Sequence, residues 1–152
     1  MPCEAELNLF TRSIVLPKRK NVELNFPGDR RHEAFAEDAF KYLDRMGDQY
    51  DLIILDPPAF AKHKNVLHNA LQGYRKLNAK AFEKIKPGGI LFTFSCSQVV
   101  TKENFRLAVF SAAAQSKRRV RILHQLTQPA DHPVNIYHPE GEYLKGLVLY
   151  VE

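Results

Sequence analysis

Cysteine is scarce in this chain of 152 residues: Cys3 and Cys96 are the whole complement. Two thiols are too few for a disulfide scaffold, and they lack the paired spacing of a zinc site. The histidines (His32, His63, His68, His124, His132, His138) form no HxxxH pair and have no cysteine pair beside them, so no structural metal is expected. Long apolar runs are missing too. Nothing approaches the roughly 18 uninterrupted apolar residues of a membrane helix, which argues against a membrane protein. Glu4 and Glu6 stand where the apolar core of a secretion signal would begin. The expectation is therefore a cytoplasmic protein. No internal repeat and no low-complexity segment interrupts the chain.

What is present suits one soluble globular domain. Hydrophobic residues make up 45% and charged residues 26%, an ordinary balance. Lysine and arginine (22) outnumber aspartate and glutamate (17), for a net charge of +5, which favours a polyanionic partner. The basic residues cluster at Lys18-Arg19-Lys20, Arg30-Arg31, Lys62 with Lys64, and Lys117-Arg118-Arg119 with Arg121. Each cluster alone also reads as a solvated face or helix end; together they point to nucleic acid.

From residue 32 onward, strand-like and helix-like stretches alternate. His32–Asp38 reads as a short strand, poor in strand-forming residues. Asp38 can cap a helix over Ala39–Met46, with Phe40, Leu43 and Met46 at helical spacing. Asp51–Asp56 (DLIILD) is apolar between its two carboxylates, the pattern of a strand covered on both faces. Asn65–Lys86 carries a helical stripe of Val66, Ala70, Leu77, Ala81 and Ile85, which Pro87-Gly88-Gly89 is expected to stop. Ile90–Cys96 reads as a strand, and Lys102–Ser116 as a helix with Phe105, Ala108, Val109 and Ala112 inward. Val120–Leu126 and Gly146–Val151 read as two further strands joined by a long, proline-containing loop. The alternation predicts an α/β sheet with helices on both faces. The first thirty residues fit it poorly: Glu6–Phe10 and Ser13–Leu16 are short strand-like pieces, and Val22, Leu24 and Phe26 alternate without an evident purpose.

Three positions carry candidate chemistry. Asp56-Pro57-Pro58-Ala59-Phe60 leaves an apolar strand, so Asp56 falls at the carboxyl end, where open α/β sheets place their ligand crevice. The two prolines make a rigid, extended exit, able to hold a planar base; a strand-to-loop turn with a capping aspartate is the competing reading. Cys96, in Phe94-Ser95-Cys96-Ser97, ends the next strand. It is either a small buried hydrophobe or a nucleophile, and thiolate is well suited to adding to C6 of a pyrimidine. Asp38 and Ala39 can receive an exocyclic amine and donate to a ring nitrogen, or simply start a helix.

A segment ending in Asp-Ala-Phe, then DLIILDPPAF, GYRKLN and KPGGILFTFSCS, followed by Asp131-His132-Pro133 and Pro139–Gly146 (PEGEYLKG), resembles the class I S-adenosylmethionine-dependent cytosine-C5 methyltransferases of large-subunit ribosomal RNA. The resemblance covers about residues 21–152. It implies a Rossmann-like class I methyltransferase sheet and S-adenosyl-L-methionine as cofactor. Ribosomal RNA would be the partner and substrate. It also implies that Asp38 and Ala39 hold the adenine, that Asp56 and Pro57 line the methyl-transfer site, and that Cys96 is the nucleophile. The family pattern departs at one place. Between Phe10 and Asn21 it has a glycine-rich loop, a helix and a strand ending in an acid, whereas this chain has only Thr11–Lys20, without glycine or acid. A βαβ crossover takes roughly 30 residues. The N-terminal βαβ portion therefore reads as truncated, with 1–20 an atypical segment and 21–152 a partial catalytic domain. Three functions follow: an RNA cytosine-C5 methyltransferase, a non-catalytic remnant binding RNA or a partner chain, and an amino-group methyltransferase that leaves Cys96 without a task. A sheet stripped of its covering helices also predicts a homo-oligomer.

Overall fold

A computed structural model describes residues 20–28, 33, 35–47, 50–61 and 63–152. The strands expected at Glu6–Phe10 and Ser13–Leu16, Cys3, and the basic residues Lys18, Arg19, Arg30, Arg31 and Lys62 lie outside the described residues. So does most of the 1–20 segment. The chain divides into two compact units, Met1–Arg45 and Met46–Glu152.

In the first unit, residues 20–25 are helical, with Leu24 and Phe26 exposed. Helix α1 (Ala39–Arg45) begins where Asp38 caps it: the Asp38 Oδ1 accepts from the backbone N–H of Phe40 (2.9 Å) and of Lys41 (3.0 Å). The strand expected over His32–Asp38 is absent among its described residues, Glu33 and Phe35–Asp38. Local contacts take its place. Glu37 pairs with Arg45, Phe35 packs against Tyr42 at 5.2 Å, and the Arg45 guanidinium lies over both rings.

The second unit is built on a sheet of strands β1 (Tyr50–Leu55), β2 (Ile85–Ser95), β3 (Val120–Leu126) and β4 (Lys145–Val151). Their order is β1-β2-β4-β3. Only β1 and β2 are parallel; β4 runs antiparallel to both of its neighbours. Being central, β4 is buried at every position except Tyr150. Helices α2 (Leu67–Lys84) and α3 (Lys102–Gln115) cover the face formed by Leu91, Thr93, Ser95, Leu147 and Leu149. Helix α2 buries Ala70, Tyr74, Leu77, Ala81 and Phe82 along one stripe. Helix α3 is capped by the Thr101 hydroxyl and buries Phe105, Ala108, Val109 and Ala112, the four expected positions.

Two local expectations change. Pro87-Gly88-Gly89 does not stop α2, which ends at Lys84 because Ile85 turns extended (φ −82°, ψ 140°) and pairs with Tyr50. The next pair is Leu52 with Ile90, so residues 86–89 bulge away from β1, while Gly89 already pairs with Val151 of β4. Gly88 there has φ +82°, and a Cβ on Gly89 would lie 2.6 Å from Ile85 Cγ1 and 3.0 Å from the Asp51 carbonyl oxygen. The carbonyls at the end of α2 are taken by Arg118, whose Nη1 donates to those of Phe82 and Ile85. That basic residue therefore serves the fold. Secondly, β1 is not covered on both faces. Leu52 and Ile54 are 51% and 61% exposed, because no helix of this unit lies on the face they share with Ile90 and Phe92.

Candidate active site

Parallel pairing of β1 and β2, with Leu55 opposite Thr93, sends both strands out at one edge of the sheet. Asp56 is the first residue beyond β1 and Cys96 the first beyond β2. This is the edge at which α/β sheets of this kind present their ligand crevice.

The exit from β1 is stiffened by Pro57 and Pro58 and then anchored by Phe60, whose ring packs on Tyr74 of α2 at 4.7 Å. Gly73 makes room for it, since a Cβ there would meet the Phe60 ring at 3.1 Å. Tyr74 is fully buried and edge-on to Phe105 of α3 at 5.3 Å. Its hydroxyl accepts a hydrogen bond from Ser95 Oγ at 2.9 Å. Beyond Cys96, the Ser97 hydroxyl donates to the Ala61 carbonyl at 2.6 Å. Cys96 is thus a half-buried free thiol between two buried serines, one fastened to α2 and the other to the loop after β1.

Burial raises the Tyr74 hydroxyl above its ordinary pKa of 10.0, opposed by hydrogen bonds from Ser95 and the Phe60 backbone. The charges of Cys96 and Asp56 push it further up. Strand register places Asp56 and Cys96 at the same sheet edge, and Tyr74 lies within electrostatic reach of both.

The other side of the site comes from β4. Phe94 lies opposite Gly146 and Ser95 opposite Lys145, so the FSCS and YLKG stretches are cross-strand partners. A Cβ on Gly146 would stand 2.6 Å from the Phe94 ring. Lys145 is only 7% exposed, and its ammonium donates to the Ser97 carbonyl at 2.5 Å. Burial lowers its pKa, and Cys96 acts in the opposite direction. Tyr74, Ser97 and Lys145 are the residues that sequence reasoning passed over. Their motifs were visible, but only strand register and the α2 packing show what each side chain does.

Asp38 and Ala39 belong to the first unit. Asp38 acts there as a helix cap through one carboxylate oxygen. Asp131-His132-Pro133 is exposed, with Asp131 and His132 3.7 Å apart and no hydrogen bond to Asp56 or Cys96.

No family model matches the chain. Over 136 residues it is 42% identical to the ribosomal RNA large subunit methyltransferase I of Cronobacter sakazakii, covering 88% of this chain and 34% of that protein. Over 153 residues it is 39% identical to the protein of the same name from Erwinia tasmaniensis, covering 98% and 39%. The chain is a homologue of ribosomal RNA large subunit methyltransferase I. It spans little more than a third of the length of these relatives. Among solved structures, SMU.776 in complex with SAH superposes with a TM-score of 0.71 at 23% identity, over 87% of this chain and 35% of that one. A methyltransferase homologue from Pyrococcus horikoshii gives 0.57 at 15%, over 88% and 49%. At such identities the likeness is one of fold: the sheet and its helices form a Rossmann-like methyltransferase architecture.

Proposed function

We propose that this chain is part of an S-adenosylmethionine-dependent RNA methyltransferase acting on C5 of a cytosine in ribosomal RNA, with Cys96 as nucleophile. The observation that carries the reading is the meeting of Asp56 and Cys96 at one sheet edge, with the buried Tyr74 hydroxyl in reach of both charges. The Cys96 thiolate adds to C6 of the cytosine, and the electron pair moves to C5. The Asp56 carboxyl holds N3 of the ring through a shared proton and so stabilises the adduct. Bound S-adenosylmethionine supplies the methyl group that C5 takes up. Transfer of the C5 proton to water then expels the thiolate and restores the ring. Pro57 and Pro58 hold the wall of this site without competing backbone donors.

The residues present fit the adenine end of that cofactor. Among the described residues the Asp38 cap uses Oδ1, so Oδ2 can receive an exocyclic amine, and the adjacent Ala39 N–H is the natural donor to a ring nitrogen. The glycine loop that would face the methionine end belongs, in the sequence pattern, to Thr11–Lys20, where only Lys20 is described. Calorimetric titration with S-adenosylhomocysteine tests the assignment. Micromolar binding upholds it. Absence of binding, with RNA binding that weakens as salt rises, transfers the chain to the remnant reading. No described helix is long and apolar enough to cross a membrane.

The partner reading includes a second copy of the chain. Leu52 and Ile54 are exposed on the open sheet face beside Ile90 and Phe92, and β1 is an edge strand. Such a surface is a self-association hazard in water. Light scattering is expected to show a homodimer or larger assembly, and Ile54→Lys to shift it towards monomer; a strictly monomeric parent chain at high concentration sinks this expectation.

A further inference from the structure

We propose that Lys145 is the counter-ion of the Cys96 thiolate, a positioning residue whose buried charge favours the ionised sulfur. The inference rests on the reading of Cys96 as nucleophile and adds a residue to it.

The argument begins with cost. A cation removed from water is expensive unless an anion compensates it. Lys145 is only 7% exposed, yet it forms no ion pair with a carboxylate among the described residues. Among the described residues its one hydrogen-bond partner is the Ser97 carbonyl, and an ammonium has three protons to donate. The missing anion has an obvious address. Register sets Lys145 opposite Ser95, and its Nζ reaches the carbonyl of Ser97, so the ammonium sits against the backbone immediately after Cys96.

The neighbouring charges leave that role to Lys145. From the exit of β1, Asp56 presents a carboxylate, which opposes a thiolate; from α2, Tyr74 presents a neutral phenol whose oxygen accepts from Ser95. From α3, Lys102, Glu103 and Arg106 line one pocket with Lys145; Lys102 is paired with Glu142 at 2.5 Å, and Glu103 makes no ion pair with Lys145. The Lys145 ammonium agrees with this: burial weakens its proton affinity, and the neighbouring Cys96 acts in the opposite direction.

A purely mechanical role, pinning the Ser97 carbonyl, is separable by experiment. In a Cys3→Ser background Cys96 is the single thiol, and its alkylation by iodoacetamide is followed from pH 6 to 10. Lys145→Gln can still donate to the carbonyl but has no charge, whereas Lys145→Arg keeps both. At pH 7, Lys145→Gln is expected to react about tenfold more slowly than the background, with the difference closing towards pH 10 as thiols ionise unaided. Lys145→Arg is expected to stay within about threefold of the background throughout. Equal rates in the glutamine variant, or a pH-independent change shared by glutamine and arginine, overturns the proposal. Lys145→Met replaces the glutamine variant if circular dichroism shows that the latter does not fold. Alkylation requires neither RNA nor cofactor, so a failure here is distinguishable from failure of the cytosine reading, which appears as absent methyl transfer in the parent chain.

Discussion

Cys96→Ser is expected to lower methyl transfer to cytosine-containing RNA by about a thousandfold or more, the scale of removing a covalent nucleophile. Serine retains the size and much of the shape of cysteine, but its hydroxyl is not ionised near neutral pH and adds poorly to C6. The turn itself should survive, because it is fastened by the neighbours of the thiol. Ser95 is bonded to Tyr74, Ser97 to Ala61, and the Ser97 carbonyl to Lys145. The melting temperature should therefore move by no more than a few degrees. Incorporation of labelled methyl groups into RNA, measured beside a thermal melt, separates the two effects. Undiminished transfer by the serine variant rejects the nucleophile, and a collapsed melt shows that the thiol belongs to the core instead.

The parts of this fold that were legible in the sequence are those fixed by local periodicity. The stripe Phe105, Ala108, Val109, Ala112 predicts both α3 and its buried face, and Val120–Leu126 is strand from end to end as expected. Asp38 reads correctly as a cap because capping involves only the next three residues. Features that depend on distant partners were not legible. Pro87-Gly88-Gly89 has the composition of a helix stop, and only the pairing of Ile85 with Tyr50, 35 residues away, makes it a bulge. The uniform apolarity of DLIILD promises two covered faces, but coverage is a property of other elements, and the face of Leu52 and Ile54 is open. The candidate site divides in the same way. Asp56 and Cys96 are visible because each ends an apolar strand. Tyr74 and Lys145 look like ordinary helix and strand residues until Ser95 is seen to meet both, one through its hydroxyl and the other through register.

Tyr74 is where the largest loss of stability is expected. Its ring is wholly buried between Phe60 and Phe105, and its hydroxyl is bonded to Ser95. Tyr74→Ala should cost about 3–5 kcal/mol for the lost aromatic packing and the cavity left behind. A domain of this size has only about 5–15 kcal/mol in all, so the variant is expected to be largely unfolded at 37 °C. Tyr74→Phe keeps the ring and removes the oxygen, leaving the Ser95 hydroxyl to find another partner, at about 1–2 kcal/mol. The pH dependence distinguishes the two contributions. Folding raises the Tyr74 pKa above 10.0, chiefly by burial and further through Cys96 and Asp56. The folded state therefore holds the phenol proton more tightly than the unfolded chain does. That stabilisation is complete below pH 10 and is lost as pH rises through the folded value. Parent and Tyr74→Phe chains should differ most near neutrality and converge above pH 10, whereas Tyr74→Ala should remain well below both. Melting temperatures collected from pH 7 to 11 would show it. A constant gap between parent and phenylalanine variant would mean that folding does not tighten the hold on the Tyr74 proton and that the hydroxyl contributes packing alone.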